Sequence, residues 1–226
     1  MISVLCPTRN RPNSVRRLVA SALATAAKMP EFVFYTDDDA PGSVPQDVRD
    51  LPGVIVVTGE RIVMSDMWNR CAEKATGDIL MLAADDIAFR TRGWDDQVRD
   101  AFAALPDGIG FVHGADGTGI HPEGFGTHGF VTRAWTDAAG HFTPPYFSCD
   151  YADTWLNDLA DRVGRNIAIP ILTEHLHPAA GKAAWDESHA ERRQRGARDD
   201  VAAIWARTEP EREAAASRLR AVMEAS

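Results

Sequence analysis

The sequence has only three cysteines, and no two of them form the CxxC spacing typical of zinc or redox sites. An odd number of widely separated cysteines argues against a disulfide framework, so we expect the protein to be located in a reducing compartment. Long hydrophobic runs are also missing. No segment approaches the roughly 18 apolar residues of a membrane span, and the apolar run after Met1 is too short for a signal peptide. We therefore expect a cytoplasmic protein without a membrane span.

Basic residues are in the minority, with 24 Lys and Arg against 33 Asp and Glu, which leaves a net charge of −9 at pH 7. A negative field of this kind repels a phosphate backbone, so a broad nucleic-acid surface is not expected. A local cluster of arginines can still hold a diphosphate. With 226 residues, of which 45% are hydrophobic, the chain is long enough for one large domain with its own core.

Apolar runs alternate with helical patterns through about the first hundred residues. Strands are predicted at residues 2–6, 31–36, 54–57 and 79–83, and helices begin near Asn13 and Ser65. This alternation predicts an α/β fold with a mainly parallel sheet that carries helices on both faces. Further strands are predicted at 109–112 and 167–172, with a helix from about 153 to 163 between them.

The tail of the chain is rich in Ala, Arg and Glu and is predicted to be helical. Ser188 with Glu191 fits a capping box, which predicts that one helix starts at Ser188. We expect residues 1–183 to form the α/β domain. Residues 184–226 are expected to form a C-terminal helical extension that packs on this domain or mediates self-association, for example as a homodimer.

Polar clusters follow four of the predicted strands. In an open α/β sheet, ligands bind beyond the carboxyl ends of the strands, so these clusters are expected to line one edge. The clusters are Pro7, Thr8, Arg9, Asn10 and Arg11; Asp37, Asp38 and Asp39; Asp85 and Asp86; and His175 and His177.

The first two clusters each have two readings. Arg9 and Arg11 beside backbone amides suit a diphosphate, but the same segment fits a turn followed by a helix cap. The triplet 37–39 fits a solvated turn, yet three adjacent carboxylates repel one another, and a ribose, a base N–H group or a cation would relieve that repulsion.

The other two clusters are candidate metal ligands. Asp85 and Asp86 offer the oxygen ligands that magnesium and manganese prefer, although they also fit a cap for a following helix. His175 and His177 are two residues apart, so on an extended strand they share one face. A histidine pair of this kind is a weaker indication of a metal site than the two carboxylates.

Taken in order, these segments resemble the inverting GT-A glycosyltransferases, the group related to the family-2 nucleotide-sugar transferases. The resemblance covers about residues 1–180 and rests on the order of its motifs more than on any one of them. The matching segments are 4–10, 35–39, 67–72, 77–81, 84–86 and 147–153.

The resemblance implies a GT-A, Rossmann-like mixed sheet and transfer of a sugar from a nucleotide-diphosphate sugar to an acceptor hydroxyl with inversion. The donor is expected to be a UDP-sugar because this is the usual donor in the family. In this reading Pro7, Thr8 and Arg9 contact the nucleotide, residues 37–39 hold the base or ribose, and Arg11 and Arg61 add positive charge.

The resemblance also assigns the metal ligands and the catalytic base. Asp86 corresponds to the last aspartate of the DxD motif and is expected to coordinate Mn²⁺ or Mg²⁺. A histidine after the last strand completes the metal shell, with His177 favoured over His175. Asp153 is expected to deprotonate the acceptor hydroxyl.

Residues 108–129 contain eight glycines and three histidines, which is typical of a functional loop. In a transferase we expect the end of this loop, with His128 and Gly129, to close over donor and acceptor.

Two positions depart from the pattern of the family. Ala84 replaces the first aspartate of the DxD motif, which places more weight on Asp85 as a metal ligand. Ala152 replaces the first member of the late acidic pair, so Asp150 is a second candidate for the base.

Three other functions fit parts of the sequence. A nucleotidyltransferase uses a similar sheet, but its glycine-rich, lysine-bearing signature is missing after the first strand. A catalytically weak nucleotide-sugar or glycan-binding module is consistent with Ala84, and a metal hydrolase is consistent with the histidine pair and the aspartates. For a transferase, a protein, a glycan and a modified nucleobase all remain open as acceptors.

Overall fold

The computed structural model describes the whole chain, Met1 to Ser226. Its strands are β1 (Ile2–Pro7), β2 (Glu31–Asp37), β3 (Val54–Gly59), β4 (Ile79–Leu82), β5 (Ile87–Phe89), β6 (Phe111–Ala115), β7 (Gly129–Thr132) and β8 (Asn166–His175). Its helices are α1 (Pro12–Thr25), α2 (Gln46–Arg49), α3 (Met64–Lys74), α4 (Trp94–Ala103), α5 (Arg133–Ala139), α6 (Ala152–Arg162), α7 (Glu187–Gly196), α8 (Val201–Arg207) and α9 (Glu209–Ala225), with a 3-10 turn at Pro178–Ala180. None of the helices is both long and apolar enough for a membrane span.

The eight strands form one sheet in the order β3-β2-β1-β4-β7-β6-β8-β5. Strands β3, β2, β1 and β4 pair in parallel, and so do β6 and β8. Strand β7 is antiparallel to both of its neighbours, and β5 is antiparallel to β8. The α/β class and the mixed, mainly parallel sheet are therefore as predicted. The carboxyl ends of β1, β2, β4 and β8 lie at one edge, together with the starts of β5 and β7.

The glycine-rich segment differs from its prediction. Instead of a strand at 109–112 followed by a loop through residue 129, it forms β6, a loop over 116–128 and the start of β7. Gly129 belongs to β7, where a Cβ atom would lie 2.2 Å from Cε2 of Phe111. Glycine is needed there because the backbone packs directly against that ring. Gly129 therefore lies in the sheet and not in a closing loop.

Side-chain alternation along the strands builds a core on each face of the sheet. In β1, Val4 faces a cluster of 22 buried residues that includes the apolar faces of α1 and α4. The next residue, Leu5, faces a cluster of 26 buried residues formed with α3, α5, α6 and α9. The sheet is thus covered by helices on both faces, which leaves its carboxyl edge as the place for a ligand site.

The C-terminal extension contacts the domain in two places. Helix α9 packs through Ala215, Ala216 and Leu219 into the cluster that holds Trp135 and Trp155. Helix α7 instead lies across the carboxyl edge of the sheet, where several of its residues line the cleft described below. Self-association of this extension stays a prediction.

The predicted start of α7 at Ser188 is wrong. The helix begins at Glu187, and the Asp186 side chain caps it by accepting a hydrogen bond from the backbone N–H of His189 at 3.1 Å. The His189 ring completes the capping box, so the motif lies two residues before the predicted pair of Ser188 and Glu191.

Arg212 of α9 is expected to anchor the extension. Its guanidinium is buried over the Trp205 ring at 3.7 Å, and its Nε lies 3.1 Å from Oδ2 of Asp158. Arg212→Ala removes this packing and the hydrogen bonds that Nη1 donates to the carbonyl of Trp205 at 2.8 Å and to Oγ1 of buried Thr208 at 3.0 Å. We therefore expect it to lower the free energy of unfolding by about 3 kcal/mol. Urea denaturation of the full chain measures this change.

Arg220→Ala is the control, since Arg220 lies on the same helix but its side chain is exposed: it pairs with Glu213 and donates one hydrogen bond to the Arg162 carbonyl at 3.2 Å. We expect a loss of roughly 0.5 kcal/mol, as for other exposed ion pairs. Equal and small losses for both variants would contradict the anchoring of α9 on the domain.

Candidate active site

A cleft of about 530 Å³ runs along the carboxyl edge of the sheet, which is within the usual size range of ligand pockets. The ends of β1, β4 and β8 form its floor, and the loop at 118–128 and the segment at 149–154 form its walls. Residues of α7 cover one side. Most of the polar clusters predicted from the sequence lie in this one place.

Three side chains converge on the floor of the cleft. Asp86, His128 and His175 each offer one ligand atom, and these atoms lie within 4.8 Å of one another. Asp86 directly precedes β5, His128 directly precedes β7, and His175 ends β8. Because β5 and β7 run antiparallel to their neighbours, these three positions fall at the same edge of the sheet. We call this set the Asp86–His128–His175 cluster.

The ligand atoms of this cluster are short of hydrogen bonds. His128 is only 7% exposed, and neither of its ring nitrogens has a partner. Oδ1 of Asp86 lies 3.3 Å from Nε2 of His175 but forms no hydrogen bond. Leaving buried polar atoms unpaired is costly, and a bound cation would remove that cost.

The protonation states also suit a cation. Burial lowers the pKa of His128 to about 3, so its ring is neutral as a metal ligand must be. Burial alone would raise the pKa of Asp86, but His175 and the Arg11 guanidinium hold that pKa well below its usual range. The cluster thus offers two imidazoles and one ionised carboxylate, a donor set that fits a divalent metal ion.

Asp85 lies beside the cluster, but both of its carboxylate oxygens already accept hydrogen bonds. Its oxygens accept hydrogen bonds from Oγ1 of Thr8 at 2.8 Å and from Nη1 of Arg11 at 3.0 Å. Burial, together with the neighbouring Asp86 carboxylate, raises the pKa of Asp85 to about 6. Asp85 therefore fastens the loop after β1 to the end of β4.

His177, which was favoured over His175 as a metal ligand, lies outside the cluster. Its Nδ1 accepts a hydrogen bond from the backbone N–H of Ala179 at 3.1 Å, and its Nε2 lies 3.2 Å from Nη1 of Arg192. His175 is placed next to Asp86 because it pairs with Ile87 across the β5–β8 ladder.

One end of the cleft carries the charged groups that follow β1 and β2. Asp37 is buried, and its Oδ2 accepts a hydrogen bond from Nη1 of Arg9 at 2.9 Å. Its other oxygen, Oδ1, is buried without any partner. Asp39 also pairs with Arg9, but Asp38 and Asp39 are exposed and do not line the cleft. Asp37 thus offers the one free carboxylate oxygen at this end.

Arg11 connects the floor of the cleft to α7. Its Nε and Nη2 donate to the two oxygens of Asp186 at 2.8 and 2.7 Å, while its Nη1 bonds Asp85. Nδ1 of His189 lies 2.5 Å from Oδ1 of Asp186. Arg61 pairs with Glu191 of the same helix but does not itself line the cleft. These ion pairs hold α7 over the site.

The other end of the cleft carries the two candidate bases. Asp153 is half-buried in the first turn of α6, and its Oδ1 accepts a hydrogen bond from the backbone N–H of Thr154 at 2.8 Å. Burial raises the pKa of Asp153 above its usual range. Oδ1 of Asp150 instead forms an ion pair with Nε of Arg192 at 2.7 Å. Asp153 is therefore the carboxylate that has no cation partner.

Solved structures share this architecture. The mannosyltransferase PcManGT from Pyrobaculum calidifontis, solved with GDP-Man and Mn²⁺, matches with a TM-score of 0.62 and 17% identity over 99% of this chain and 74% of that one. Two structures of the 1–349 fragment of TarS from S. aureus also match. The complex with UDP has a TM-score of 0.56 and 16% identity over 76% of this chain, and the complex with UDP-GlcNAc has a TM-score of 0.60 and 15% identity over 84% of this chain. This chain has the GT-A-like fold of these glycosyltransferases.

These proteins share the fold of this chain, but their sequence identity to it is low. The chain spans 57% and 64% of the two TarS structures, which is less than two thirds of their length. No protein-family model and no curated protein matches the sequence.

Sequence reasoning missed two parts of the site. His128 is expected from the sequence in a loop over the substrates, but it lies on the floor of the cleft because the unpredicted strand β7 begins directly after it. The short apolar run Phe130-Val131 was the only signal for that strand. Asp186 and His189 were missed because nothing in the sequence brings the C-terminal extension to the cleft.

Proposed function

We propose that this chain is a metal-dependent glycosyltransferase that moves a sugar from a nucleotide-diphosphate sugar to an acceptor hydroxyl with inversion. The observation that carries the proposal is the Asp86–His128–His175 cluster in a cleft of a GT-A-like fold, where Oδ1 of Asp86 and both ring nitrogens of His128 are buried without hydrogen-bond partners. Asp37 lines the same cleft from the end of β2, and Asp153 lines it from the first turn of α6.

The nucleotide is proposed to bind at the end of the cleft formed by β1 and β2. The free Oδ1 of Asp37 is a suitable acceptor for an N–H group of the base or a ribose hydroxyl. Pro7, Thr8 and Arg9 line the same end. We propose uracil as the base because the sequence resembles the family-2 transferases, and TarS was solved with UDP and UDP-GlcNAc.

The metal is proposed to bind to Asp86, His128 and His175. When bound, a divalent ion neutralises the charge that develops on the diphosphate leaving group. Arg11 adds fixed positive charge on the same side, since its Nη1 lies 3.8 Å from Oδ2 of Asp86.

Asp153 is proposed to take the proton from the acceptor hydroxyl. It lines the cleft and has no cation partner, and the pKa that burial raises makes its carboxylate a stronger base than an exposed aspartate. Displacement of the diphosphate by the deprotonated hydroxyl from the opposite face of the sugar produces inversion in one step. Asp150 is proposed only to position Arg192 at the mouth of the cleft.

The proposal predicts the acid limb of the pH profile. Asp153 must be ionised to act as a base, and its pKa is raised, so activity falls as the pH drops through this elevated value. We expect kcat/KM for transfer to begin its decline at a pH above the usual aspartate range near 4. A decline confined to pH values below about 4 would contradict the role of Asp153.

A donor screen tests the reaction. The full chain is incubated with Mn²⁺ and a panel of UDP- and GDP-sugars, with protein, glycan and nucleoside acceptors. Release of the nucleoside diphosphate is followed, and the anomeric configuration of the product is read by NMR. We expect acceptor-dependent release from one donor and an inverted product, whereas a retained configuration would contradict the single displacement.

A further inference from the structure

We propose that the acceptor is a saccharide with one acidic substituent, a carboxylate or a phosphate, which the Arg195 guanidinium binds while the sugar ring packs on Tyr151. The inference rests on the proposed function and names the acceptor class for the same cleft. It narrows the expectation from the sequence, which left a protein, a glycan and a modified nucleobase open.

The guanidinium of Arg195 is the first observation. Four arginines line the cleft, and three of them form ion pairs with carboxylates, namely Arg9, Arg11 and Arg192. Arg195 is half-buried, and its guanidinium forms no ion pair and donates no hydrogen bond. A guanidinium presents its N–H donors in a rigid fork that matches a carboxylate or a phosphate. Arg195 is therefore an unused binding group for an acidic ligand.

The carboxylates near Arg195 are already paired with other groups. Oδ1 of Asp150 lies 2.7 Å from Nε of Arg192. Oδ2 of Asp199 accepts hydrogen bonds from the backbone N–H and the hydroxyl of Ser148 at 3.1 and 2.6 Å. The partner that remains for Arg195 is an acidic group on the ligand.

Arg195 lies far from the diphosphate end of α7. Asp186 caps the start of this helix and binds Arg11, which lies beside the metal cluster. The ten residues of α7 span about 15 Å at the usual rise of an α-helix, and Arg195 lies in the last turn. An acidic group bound to Arg195 therefore belongs to the acceptor and not to the diphosphate leaving group.

The last turn of α7 packs against the segment that leads to the candidate base. A Cβ atom built on Gly196 would lie 3.8 Å from both Sγ of Cys149 and Oδ2 of Asp150. Two residues after Asp150, the chain enters α6, which carries Asp153 in its first turn. Arg195 is thus placed at the end of the cleft where the acceptor hydroxyl is proposed to lose its proton.

Tyr151 supplies an aromatic surface at the same end. Its backbone φ is 72°, in the left-handed region that a bulky residue rarely adopts, and its side chain does not cap α6. The ring packs on Phe147 and Trp205, yet the residue is 36% exposed and lines the cleft. Strained residues of this kind cluster at ligand sites. An exposed aromatic ring in a polar cleft suits the apolar face of a sugar ring.

One free cation beside one aromatic ring fits a small acidic saccharide better than a long polyanion. A polyanion needs several free cations along its path, and the other arginines of the cleft are paired. The net charge of −9 also opposes a polyanion.

Matched saccharides test the inference by direct binding. Methyl hexosides are compared with the corresponding methyl hexuronides and hexose phosphates of the gluco, galacto and manno series. Each is titrated calorimetrically into the full wild-type chain, with and without UDP and Mn²⁺. We expect one acidic saccharide to bind at least ~10-fold more tightly than its neutral counterpart, because a charge-assisted hydrogen bond separates them. Equal affinities throughout, or no binding by any saccharide, would overturn the inference.

Variants separate the charge from the ring. Arg195→Gln is expected to bind the acidic and the neutral saccharide equally and to keep its UDP affinity within about twofold. Tyr151→Asn keeps a residue that tolerates the left-handed backbone, and it is expected to weaken both saccharides about 3–10-fold while it retains the preference for the acid. Arg193→Gln is the matched control, because it removes the same charge from the same turn, but Arg193 packs on Trp185 outside the cleft.

The variants also define the results that contradict the assignment. A preference for the acid that survives in Arg195→Gln, or that is lost equally in Arg193→Gln, would overturn the role of Arg195. A large loss of UDP affinity in Arg195→Gln would assign this arginine to the diphosphate instead. Unchanged affinities in Tyr151→Asn would overturn the role of Tyr151, and the wild-type comparison stands even where a variant fails to fold.

Failure of this inference is distinguishable from failure of the transferase proposal. UDP binding that requires Mn²⁺, without any preference for an acidic saccharide, removes the acidic acceptor and leaves the donor site intact. A preference for the acid that Arg195→Gln abolishes, with no nucleotide bound under any condition, supports the acidic-saccharide site and removes the transferase.

Discussion

Asp153→Asn is expected to lower the rate of sugar transfer by about 10²–10⁴-fold, the range typical of a lost general base. Asparagine has nearly the same shape, but it cannot accept the proton of the acceptor hydroxyl. The nucleotide and metal ends of the cleft are unchanged, so we expect donor affinity to stay within about twofold and the loss to appear in kcat. Steady-state kinetics and a donor titration on the same sample measure both effects.

Asp153→Asn is also expected to fold at least as stably as the wild type. The pKa of Asp153 is raised in the folded chain, so the ionised carboxylate opposes folding above the unfolded pKa, and the neutral amide removes this penalty. Asp161→Asn is the control, since Asp161 lies on the same helix outside the cleft and bonds Nδ2 of Asn166 at 2.8 Å. A normal rate of sugar transfer in Asp153→Asn would contradict the role of Asp153 as the catalytic base.

Asp86→Asn is expected to weaken metal binding by at least ~100-fold and to abolish metal-dependent donor binding. Asp86 is the only carboxylate of the cluster, so its loss leaves only the two histidine side chains to hold a dication. Loss of an outer contact alone typically costs 10–100-fold in metal affinity, and a direct ligand is expected to cost more. Titration of Mn²⁺, followed by titration of UDP with Mn²⁺ present, measures the effect.

The neighbouring carboxylate provides the control for this prediction. Asp85→Asn removes the same charge one residue away, but the oxygens of Asp85 are bonded to Thr8 and Arg11. We expect it to reduce Mn²⁺ affinity less than about tenfold, through the loss of a nearby charge. A larger loss in Asp85→Asn than in Asp86→Asn would show that the ligand was assigned to the wrong residue of the pair.

Much of the fold follows from local patterns in the sequence. The four parallel strands were predicted because each is a short apolar run between turn residues, and three of them, β1, β2 and β4, are buried as such runs usually are. Strands β5 and β7 were missed because they depend on antiparallel pairing with strands that are distant in the sequence. Their pairing is a tertiary effect that a local pattern does not contain.

The site was predictable where it follows the ends of parallel strands. Asp37 and His175 lie at one edge because β2 and β8, which they end, run in the same direction. Asp86 lies there because it is between the end of β4 and the start of β5, which is antiparallel to β8. The choice between Asp85 and Asp86, or between His175 and His177, depends on which side chains already have hydrogen-bond partners. Those partners come from Thr8, Arg11 and Arg192, and no spacing rule connects them.

The role of α7 could not be predicted for a similar reason. Asp186 and Arg11 are 175 positions apart in the sequence. The capping pattern predicts where the helix begins, but it does not predict where the helix packs on the domain. Because α7 lies over the nucleotide end and the metal cluster together, the C-terminal extension is part of the proposed site.

The cleft is proposed to bind a nucleoside diphosphate through a metal held by the Asp86–His128–His175 cluster. The most direct test is isothermal titration of UDP and GDP into the full chain, with Mn²⁺ and with chelator, for the wild type and for Asp86→Asn. We expect one diphosphate to bind the wild type with Mn²⁺, and to lose that binding both in chelator and in Asp86→Asn. Absence of binding by either nucleotide under both conditions would contradict the account.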